Sequence, residues 1–277
     1  MLIAGANIES ILYNPKQFLK KMNLYICQTK NHDMLLTIDV GNSRIKAAVF
    51  EQDTLVDLFI MGENDAVIIF SEIFIKYPKI KSAIYASVGK IEAEVLDTIQ
   101  KHVETQIINH TTKLPFTNNY TTPKTLGIDR MVLAAGATLL YPKQNRLIID
   151  AGTCVTYDFI DQDNHYLGGA ISPGIALRYK SLNDYTQNLP ILKLNSTEIF
   201  TGTSTENSIH SGVINGLTYE IDGFISQYFL KYQDLTVILT GGDAEFLAKR
   251  LKNTIFANSN FLLDSLRLLS TYINQND

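Results

Sequence analysis

Tryptophan is absent from this sequence of 277 residues, and cysteine and proline are scarce, with two and seven copies. Cys27 and Cys154 are far apart and form no CxxC pair, and the five histidines lack the spacing of metal ligands. No apolar run approaches the roughly 18 residues of a membrane span, and residues 1–33 lack the features of a secretory signal. We therefore expect a cytoplasmic protein with no membrane partner.

An excess of positive charge is missing as well. The chain has 24 Lys and Arg against 28 Asp and Glu, a formal net charge of −4, and no long basic block. This balance argues against a nucleic-acid partner. Hydrophobic residues make up 45% of the sequence, enough for a full core, and at about 100–200 residues per domain the length predicts one large or two modest domains.

The clearest pattern in the sequence is a repeat. Residues 35–51 (LLTIDVGNSRIKAAVFE) predict two strands joined by a turn, and residues 146–161 (RLIIDAGTCVTYDFID) repeat the order of apolar strand, Asp, small residue, Gly and hydroxyl-bearing turn. Asp39 and Asp150 lie 111 residues apart. This spacing exceeds a solenoid period and predicts the duplication of a whole α/β unit. We expect an N-terminal extension at 1–33, a first domain at 34–144 and a second at 145–277.

The other segments alternate between strand and helix patterns, which favours an α/β fold. In chain order they predict a possible helix at 15–22, a strand at 82–88, helices at 92–102 and 128–140, a sharply turning or closely approached segment at 168–174, a loop-rich segment at 183–205, a helix at 207–232, a strand at 235–240, a helix opened by residues 241–243 and a helix at 261–272.

The two Asp-x-Gly turns are candidate phosphate sites. Glycine lets the backbone approach a ligand closely, and neighbouring N–H groups can bind phosphate oxygens. A carboxylate beside a phosphate is repulsive unless a cation lies between them, so Asp39 and Asp150 imply Mg²⁺ or a monovalent ion. The alternative for a single turn is a tight hairpin whose Asp binds its own loop.

Residues 125–130 (TLGIDR) begin a predicted helix, with Asp129 in its first turn. A carboxylate there either caps the helix or accepts a hydroxyl proton during phosphoryl transfer. Arg130 either holds a substrate anion or forms a salt bridge. Cys154, beside the second turn, is interpreted as a buried small residue.

Six motifs occur in order along the chain: IDVGNSRIK at 38–46, TLGIDRMVLAAGA at 125–137, DAGTCVTYDFI at 150–160, GGAISPG at 168–174, STENSIHSGVINGL at 204–217 and TGGDA at 240–244. Together they resemble type III pantothenate kinases, members of the actin-like ATPase superfamily that also contains acetate and sugar kinases, Hsp70 and actin. The resemblance implies two duplicated actin-like, ribonuclease H-like α/β domains with a nucleotide cleft between them.

The resemblance also implies an activity: transfer of the γ-phosphate of ATP to pantothenate, giving 4′-phosphopantothenate in the first step of coenzyme A biosynthesis. It implies a need for K⁺ or NH₄⁺, Mg²⁺ with ATP, and a homodimer with its substrate pocket near the subunit interface.

By the same resemblance, Asp129 is the catalytic base and Asp150 binds the monovalent cation. The ATP-binding positions are Asp39, Val40, Gly41, Asn42, Ser43, Arg44, Ile45, Lys46 and Thr153. The pantothenate-binding positions are Tyr120, Gly127, Ile128, Asp129, Arg130 and Thr205.

Two alternatives stay open. A sugar or amino-sugar kinase would share both Asp hairpins, although the Cys cluster usual in such enzymes is missing from this sequence. A non-catalytic accessory homologue would be expected to lose the base or the phosphate turns, yet Asp39, Asp129 and Asp150 are all present.

Overall fold

The computed structural model describes residues 33–41, 43–87, 93–195 and 199–276. Its strands are β1 (Met34–Val40), β2 (Ile45–Glu51), β3 (Thr54–Met61), β4 (Ile80–Ser87), β5 (Glu104–Ile107), β6 (Thr117–Asn118), β7 (Asn145–Ala151), β8 (Cys154–Ile160), β9 (His165–Pro173), β10 (Leu235–Thr240) and β11 (Phe256–Ala257). Its helices are α1 (Ala66–Lys76), α2 (Ala93–Gln100), α3 (Ile128–Leu140), α4 (Ile175–Asp184), α5 (Thr205–Lys231), α6 (Ala244–Ala248) and α7 (Phe261–Asn276). The possible helix at 15–22 lies outside the described residues.

The strands form two sheets with the same internal order. The first runs β3-β2-β1-β4-β5, and the second runs β9-β8-β7-β10-β11 with β6 added beside β9. In both, a hairpin of antiparallel strands continues into a parallel partner: β1 pairs with β2 and β4, and β7 pairs with β8 and β10. The duplication predicted from the two Asp-x-Gly hairpins is therefore present in the strand order.

Helices α3 and α7 lie between the two sheets. Their buried faces join a cluster that includes Phe50 and Ile84 from the first sheet and Ile148 and Ile238 from the second. The helices cross closely at Gly136, where a Cβ would lie 2.0 Å from the Ser265 Oγ. This shared layer connects the halves into one packed unit.

The outer faces of the sheets are covered separately. Helices α1 and α2 pack on the first sheet, where Leu36, Ile38 and Val40 alternate along β1 toward them. Helices α4 and α5 pack on the second sheet around Tyr179 and Leu217. None of the helices in the described part of the chain has the length and apolarity of a membrane span.

Most predicted elements are confirmed, and helix α3 has the predicted bounds. For residues 168–174 the sharp turn is wrong and the close approach is confirmed, because all but the last belong to strand β9. Their glycines serve close packing: a Cβ on Gly169 would overlap the Tyr157 carbonyl at 1.4 Å. Two elements cross the expected boundary at 144/145, since β6 pairs with β9 and α7 packs against β1. The domain division itself stays a prediction.

Candidate functional site

The two Asp-x-Gly turns meet at one place. The Ser43 Oγ in the first turn lies 3.5 Å from the Thr153 Oγ1 in the second, although 110 residues separate them. Each turn is closed by its own backbone, with Gly41 N–H donating to the Arg44 carbonyl at 3.1 Å and Gly152 N–H donating to the Cys154 carbonyl at 2.9 Å. The predicted pair of facing hairpins is therefore present.

Three carboxylates face the same space. Asp39 lies near the end of β1, Asp150 near the end of β7, and Asp129 in the first turn of α3. Burial raises the pKa of Asp39 from 3.8 to about 7; Lys46, its cross-strand partner, opposes the rise and Asp129 adds to it. Burial likewise raises the pKa of Asp150 to about 7, with further contributions from Asp129 and Asp39. The site therefore gathers more negative charge than Lys46 balances.

The carboxylates of Asp39, Asp129 and Asp150 suit a cation that binds together with a ligand. Within residues 33–41, 43–87, 93–195 and 199–276, no three His, Cys, Asp or Glu side chains form a group that could hold a metal ion. A closed protein cage is thus not present in that part of the chain. Mg²⁺ normally keeps waters and uses one or two carboxylates together with substrate phosphates, which an open set of partly buried aspartates can provide.

Asp129 is held by the helix that carries it. Its Oδ1 accepts the Arg130 N–H at 2.8 Å, one of the N–H groups at the helix start that have no partner within the helix, while the N-cap itself is Gly127. Gly127 makes room for this carboxylate, because a Cβ there would lie 2.4 Å from the Asp129 Oδ1. Burial raises the pKa of Asp129, and the Arg130 N–H partly offsets the rise.

Arg130 forms the salt bridge that the sequence left open. Its side chain is buried, and its Nε and Nη2 donate to the Asp158 Oδ1 at 2.8 and 2.7 Å. Burial disfavours the guanidinium charge, but the Asp158 carboxylate outweighs this effect and raises the pKa of Arg130. The ring of Tyr120 lies 5.8 Å from the guanidinium carbon. Two predicted substrate contacts, Tyr120 and Arg130, are therefore neighbours, and the charge of Arg130 is already balanced.

The loop after β10 forms another side of the site. Gly241 has a φ of +96°, and a Cβ there would lie 2.4 Å from the Asp150 Oδ1 and 2.3 Å from the Ala151 carbonyl. The Asp243 N–H donates to the same carbonyl at 3.0 Å. A glycine pair between a strand and a helix is a sequence signal for a nucleotide contact, and the predicted site residues do not include Gly241.

Thr205 lies apart from the other predicted site residues. It begins α5 and lines a cavity of about 920 Å³ together with Arg178, Ser208 and Gly212. Within the described residues, this lining contains no residue of either hairpin. Helix α5 packs on the face of the second sheet opposite to α3 through buried residues that begin at Ile209, whereas Thr205 itself is exposed. The structure thus brings the hairpins and Asp129 together without Thr205.

The remaining predicted residues have simpler positions. Val40 and Ile45 are buried in the first hairpin, Arg44 is exposed, and Ile128 is half-buried beside Asp129. Asn42 lies outside the described residues. The interpretation of Cys154 as buried is wrong, since the thiol is free and exposed. Asp158 and Tyr166 are not among the predicted site residues; the available signal for Asp158 was a charged residue within the apolar strand pattern of β8.

Comparison with known proteins places these features in a family. The sequence matches the family model of type III pantothenate kinases over residues 35–227. A type III pantothenate kinase of Flavobacterium johnsoniae is 55% identical over 244 residues, which cover 88% of this chain and all of that protein. One of Flavobacterium psychrophilum is 53% identical and covers 86% of this chain and 99% of its own length.

Solved structures agree on the fold. A conserved Baf family protein from Campylobacter jejuni superposes with a TM-score of 0.57 at 24% identity, over 87% of this chain and all of that one. A ROK family protein from Streptococcus pneumoniae gives 0.50 at 11% identity, over 87% and 99% of the two chains. Together with the two sheets of equivalent strand order, these matches confirm the predicted actin-like α/β fold.

Proposed function

Because this chain belongs to the type III pantothenate kinase family, we propose that its two facing hairpins form the site where ATP phosphorylates pantothenate. The protein is an enzyme, a kinase that transfers the γ-phosphoryl group of ATP to the primary hydroxyl of pantothenate in coenzyme A biosynthesis. We assign the site to this place because Ser43 and Thr153 are in contact there beside three carboxylates.

The first turn and Thr153 bind the phosphates of ATP. Their backbone N–H groups and hydroxyls supply donors, and Lys46 adds positive charge next to Asp39. The proposed ATP-binding residues are Asp39, Val40, Gly41, Asn42, Ser43, Arg44, Ile45, Lys46 and Thr153.

Asp129 acts as the base. A primary alcohol is too weak an acid to be deprotonated beforehand, so a carboxylate helps only as the proton leaves. Positioning and electrostatics provide most of the catalysis in phosphoryl transfer. Asp129 is suited to this role because the Arg130 N–H fixes one of its oxygens at the start of α3.

Cations balance the charge of the site. Asp150 would hold K⁺ or NH₄⁺, and Mg²⁺ bound with ATP would neutralise charge on the transferring phosphoryl group. The chemistry of the donors supports this assignment, since Asp39, Asp129 and Asp150 raise one another's energy when all are ionised.

Pantothenate would contact Tyr120, Gly127, Ile128, Asp129 and Arg130 of one subunit. In this chain Thr205 lines a cavity that none of these residues lines, which supports a homodimer in which the partner supplies Thr205. We also propose a cytoplasmic location, where ATP is available, and no nucleic-acid partner, given the net charge of −4.

The test is an ATP-dependent phosphorylation assay on the full chain with pantothenate and, in parallel, a panel of hexoses. Each reaction contains Mg²⁺ and either K⁺, NH₄⁺ or Na⁺ as the only monovalent cation. We expect product from pantothenate with K⁺ or NH₄⁺ and none from the hexoses. Hexose turnover would support the sugar kinase instead, and no turnover in any salt would support the accessory homologue. Equal pantothenate turnover in all three salts would remove the cation role of Asp150.

A further inference from the structure

A buried polar cluster lies directly behind the proposed acceptor site. At its centre is Asp158 of β8, whose side chain is fully buried. Its Oδ1 accepts two hydrogen bonds from Arg130 and one from the Tyr166 hydroxyl, and its Oδ2 accepts one from the Thr156 hydroxyl at 3.1 Å. A buried carboxylate with this many partners is held in a single orientation.

The cluster is connected to three of the side chains expected near the acceptor, Tyr120, Asp129 and Arg130. Arg130 follows Asp129, and its N–H binds that carboxylate. Tyr120 lies over the Arg130 guanidinium, and its ring packs edge-on against Tyr166 at 6.1 Å between ring centres. Arg130 therefore contacts the base through its backbone N–H and Tyr120 through its guanidinium.

We propose that Asp158, together with the Tyr166 hydroxyl, is a positioning unit that fixes Arg130 and so aligns Asp129 and Tyr120 for the acceptor alcohol. This proposal rests on the function proposed above. Asp158 acts through Arg130. Its hydrogen-bond partners Arg130, Tyr166 and Thr156 lie outside the two hairpin turns that form the ATP side of the site.

The chemistry requires a carboxylate at this position. Arg130 presents only N–H donors, so its partner must be an acceptor with a compensating charge. An amide in place of Asp158 would remove the charge and could direct its own N–H₂ at the guanidinium. The guanidinium would then be left buried without a counter-ion and would leave its position.

The first test is Asp158→Asn in the full chain, with KM for pantothenate, KM for ATP, kcat and thermal stability measured together. We expect the pantothenate KM to rise by about tenfold or more and kcat to fall, while the ATP KM changes by less than about twofold. Equal increases in both KM values, or unchanged KM values with a lower active fraction, would assign Asp158 to stability alone and overturn the proposal.

A matched pair of tyrosine variants gives an answer even if Asp158→Asn fails to fold. Tyr166→Phe removes one hydroxyl from the cluster. Tyr157→Phe removes an equally buried hydroxyl from β8 that donates instead to Glu220 at 2.9 Å, on the other face of the sheet. We expect only Tyr166→Phe to raise the pantothenate KM, by about threefold to tenfold.

Similar pantothenate KM values in the two tyrosine variants would contradict the proposal. If the proposed function itself is wrong, the result differs, because the unaltered protein would then not phosphorylate pantothenate at all. If the unaltered protein is active and Asp158→Asn matches it in every kinetic constant, only the positioning role is lost.

Discussion

Asp129 combines a structural and a chemical position in one side chain. Its Oδ1 binds the Arg130 N–H in the first turn of α3, and the carboxylate lies close enough to Asp39 and Asp150 to raise their pKa values. An asparagine can keep the hydrogen bond but cannot accept a proton. The two functions of this residue can therefore be separated by substitution.

We expect Asp129→Asn to lower kcat by about 10²–10⁴-fold with little change in thermal stability, because only the base is lost. Asp129→Ala also loses the bond to the Arg130 N–H, so it should be equally inactive and melt at a lower temperature. Steady-state kinetics and thermal melting of both variants check this prediction. An Asp129→Asn enzyme with a tenth or more of the normal kcat would remove Asp129 from its role as base.

We expect Asp150 to lower the stability of the ligand-free protein at alkaline pH. Its pKa is about 7 when folded against an ordinary 3.8, so between these values the folded chain keeps a proton that the unfolded chain releases. The stability from this group is present at low pH and is lost as pH rises through about 7. Asp150→Asn should remove this loss.

The measurement is thermal melting at pH 5 and pH 8 without nucleotide or divalent cations, and with tetramethylammonium as counter-ion. We expect Asp150→Asn to melt above the unaltered protein at both pH values, and the gain to be larger at pH 8 than at pH 5 by at least about 2–4 °C. Glu63→Gln, an exposed substitution, should show no such difference. A gain for Asp150→Asn that does not grow with pH would contradict the prediction.

The candidate aspartates could be found from sequence, whereas their buried partner could not. Asp39 and Asp150 occupy equivalent positions in a repeated pattern, and Asp129 precedes a helix signal. Asp158 pairs with Arg130, a residue 28 positions away, and this pairing exists only because β8 and the start of α3 pack together. Local patterns carry no information on such a contact.

The loop between β10 and α6 leaves no room for a side chain at Gly241. Gly241 adopts a φ of +96°, and its missing side chain leaves room for Asp150 and for the Ala151 carbonyl. Gly242 is its neighbour, yet a Cβ there would meet nothing within 4 Å. Alanine substitutions at these two glycines can therefore be compared within the same loop.

We expect Gly241→Ala to lower the melting temperature by at least about 2–4 °C and to raise the KM for ATP, because strain and the displaced Asp150 both affect the nucleotide side. Gly242→Ala should change neither value appreciably. Melting curves and ATP kinetics of the two variants test this prediction. Equal behaviour of the two alanine variants would show that this loop does not constrain the site.

Predictability also varied between elements. Helix α3 has its predicted bounds, because Gly127 precedes it and Pro142 follows it closely. Strand β9 contains Gly168 and Gly169, which normally signal a turn, and its extended form depends on close contact with the Tyr157 backbone. Strand β6 has two residues and is defined only by its pairing with β9. Elements that exist through tertiary contacts are the ones that the sequence did not predict.

The molecule as a whole follows from one duplication plus a shared helical layer. The repeat predicted two similar sheets, and the strand orders agree. The sequence did not predict that α3 and α7 would lie between the sheets, since their apolar faces do not reveal which sheet they contact. This layer carries Asp129 to the hairpins and leaves Thr205 on the opposite face of the second sheet.

If Thr205 acts in the acceptor site, we expect it to come from a second subunit, because in its own chain it lines a cavity without Asp129 or Tyr120. The variants for this prediction are Asp129→Ala and Thr205→Val, each purified alone and then mixed under conditions that allow subunit exchange. In a symmetric dimer, a mixed pair would contain one site with both altered residues and one with neither. Random exchange should therefore restore about a quarter of normal activity at low pantothenate.

A site built within one chain predicts the opposite result. Each active site would then keep its own single substitution whatever the partner, so mixing would give only the average of the two separate activities. Size-exclusion chromatography with light scattering on the same samples establishes whether dimers are present. Activity well above the average in a dimeric mixture places Thr205 across the interface, whereas the plain average in a dimeric mixture removes it from the partner's site.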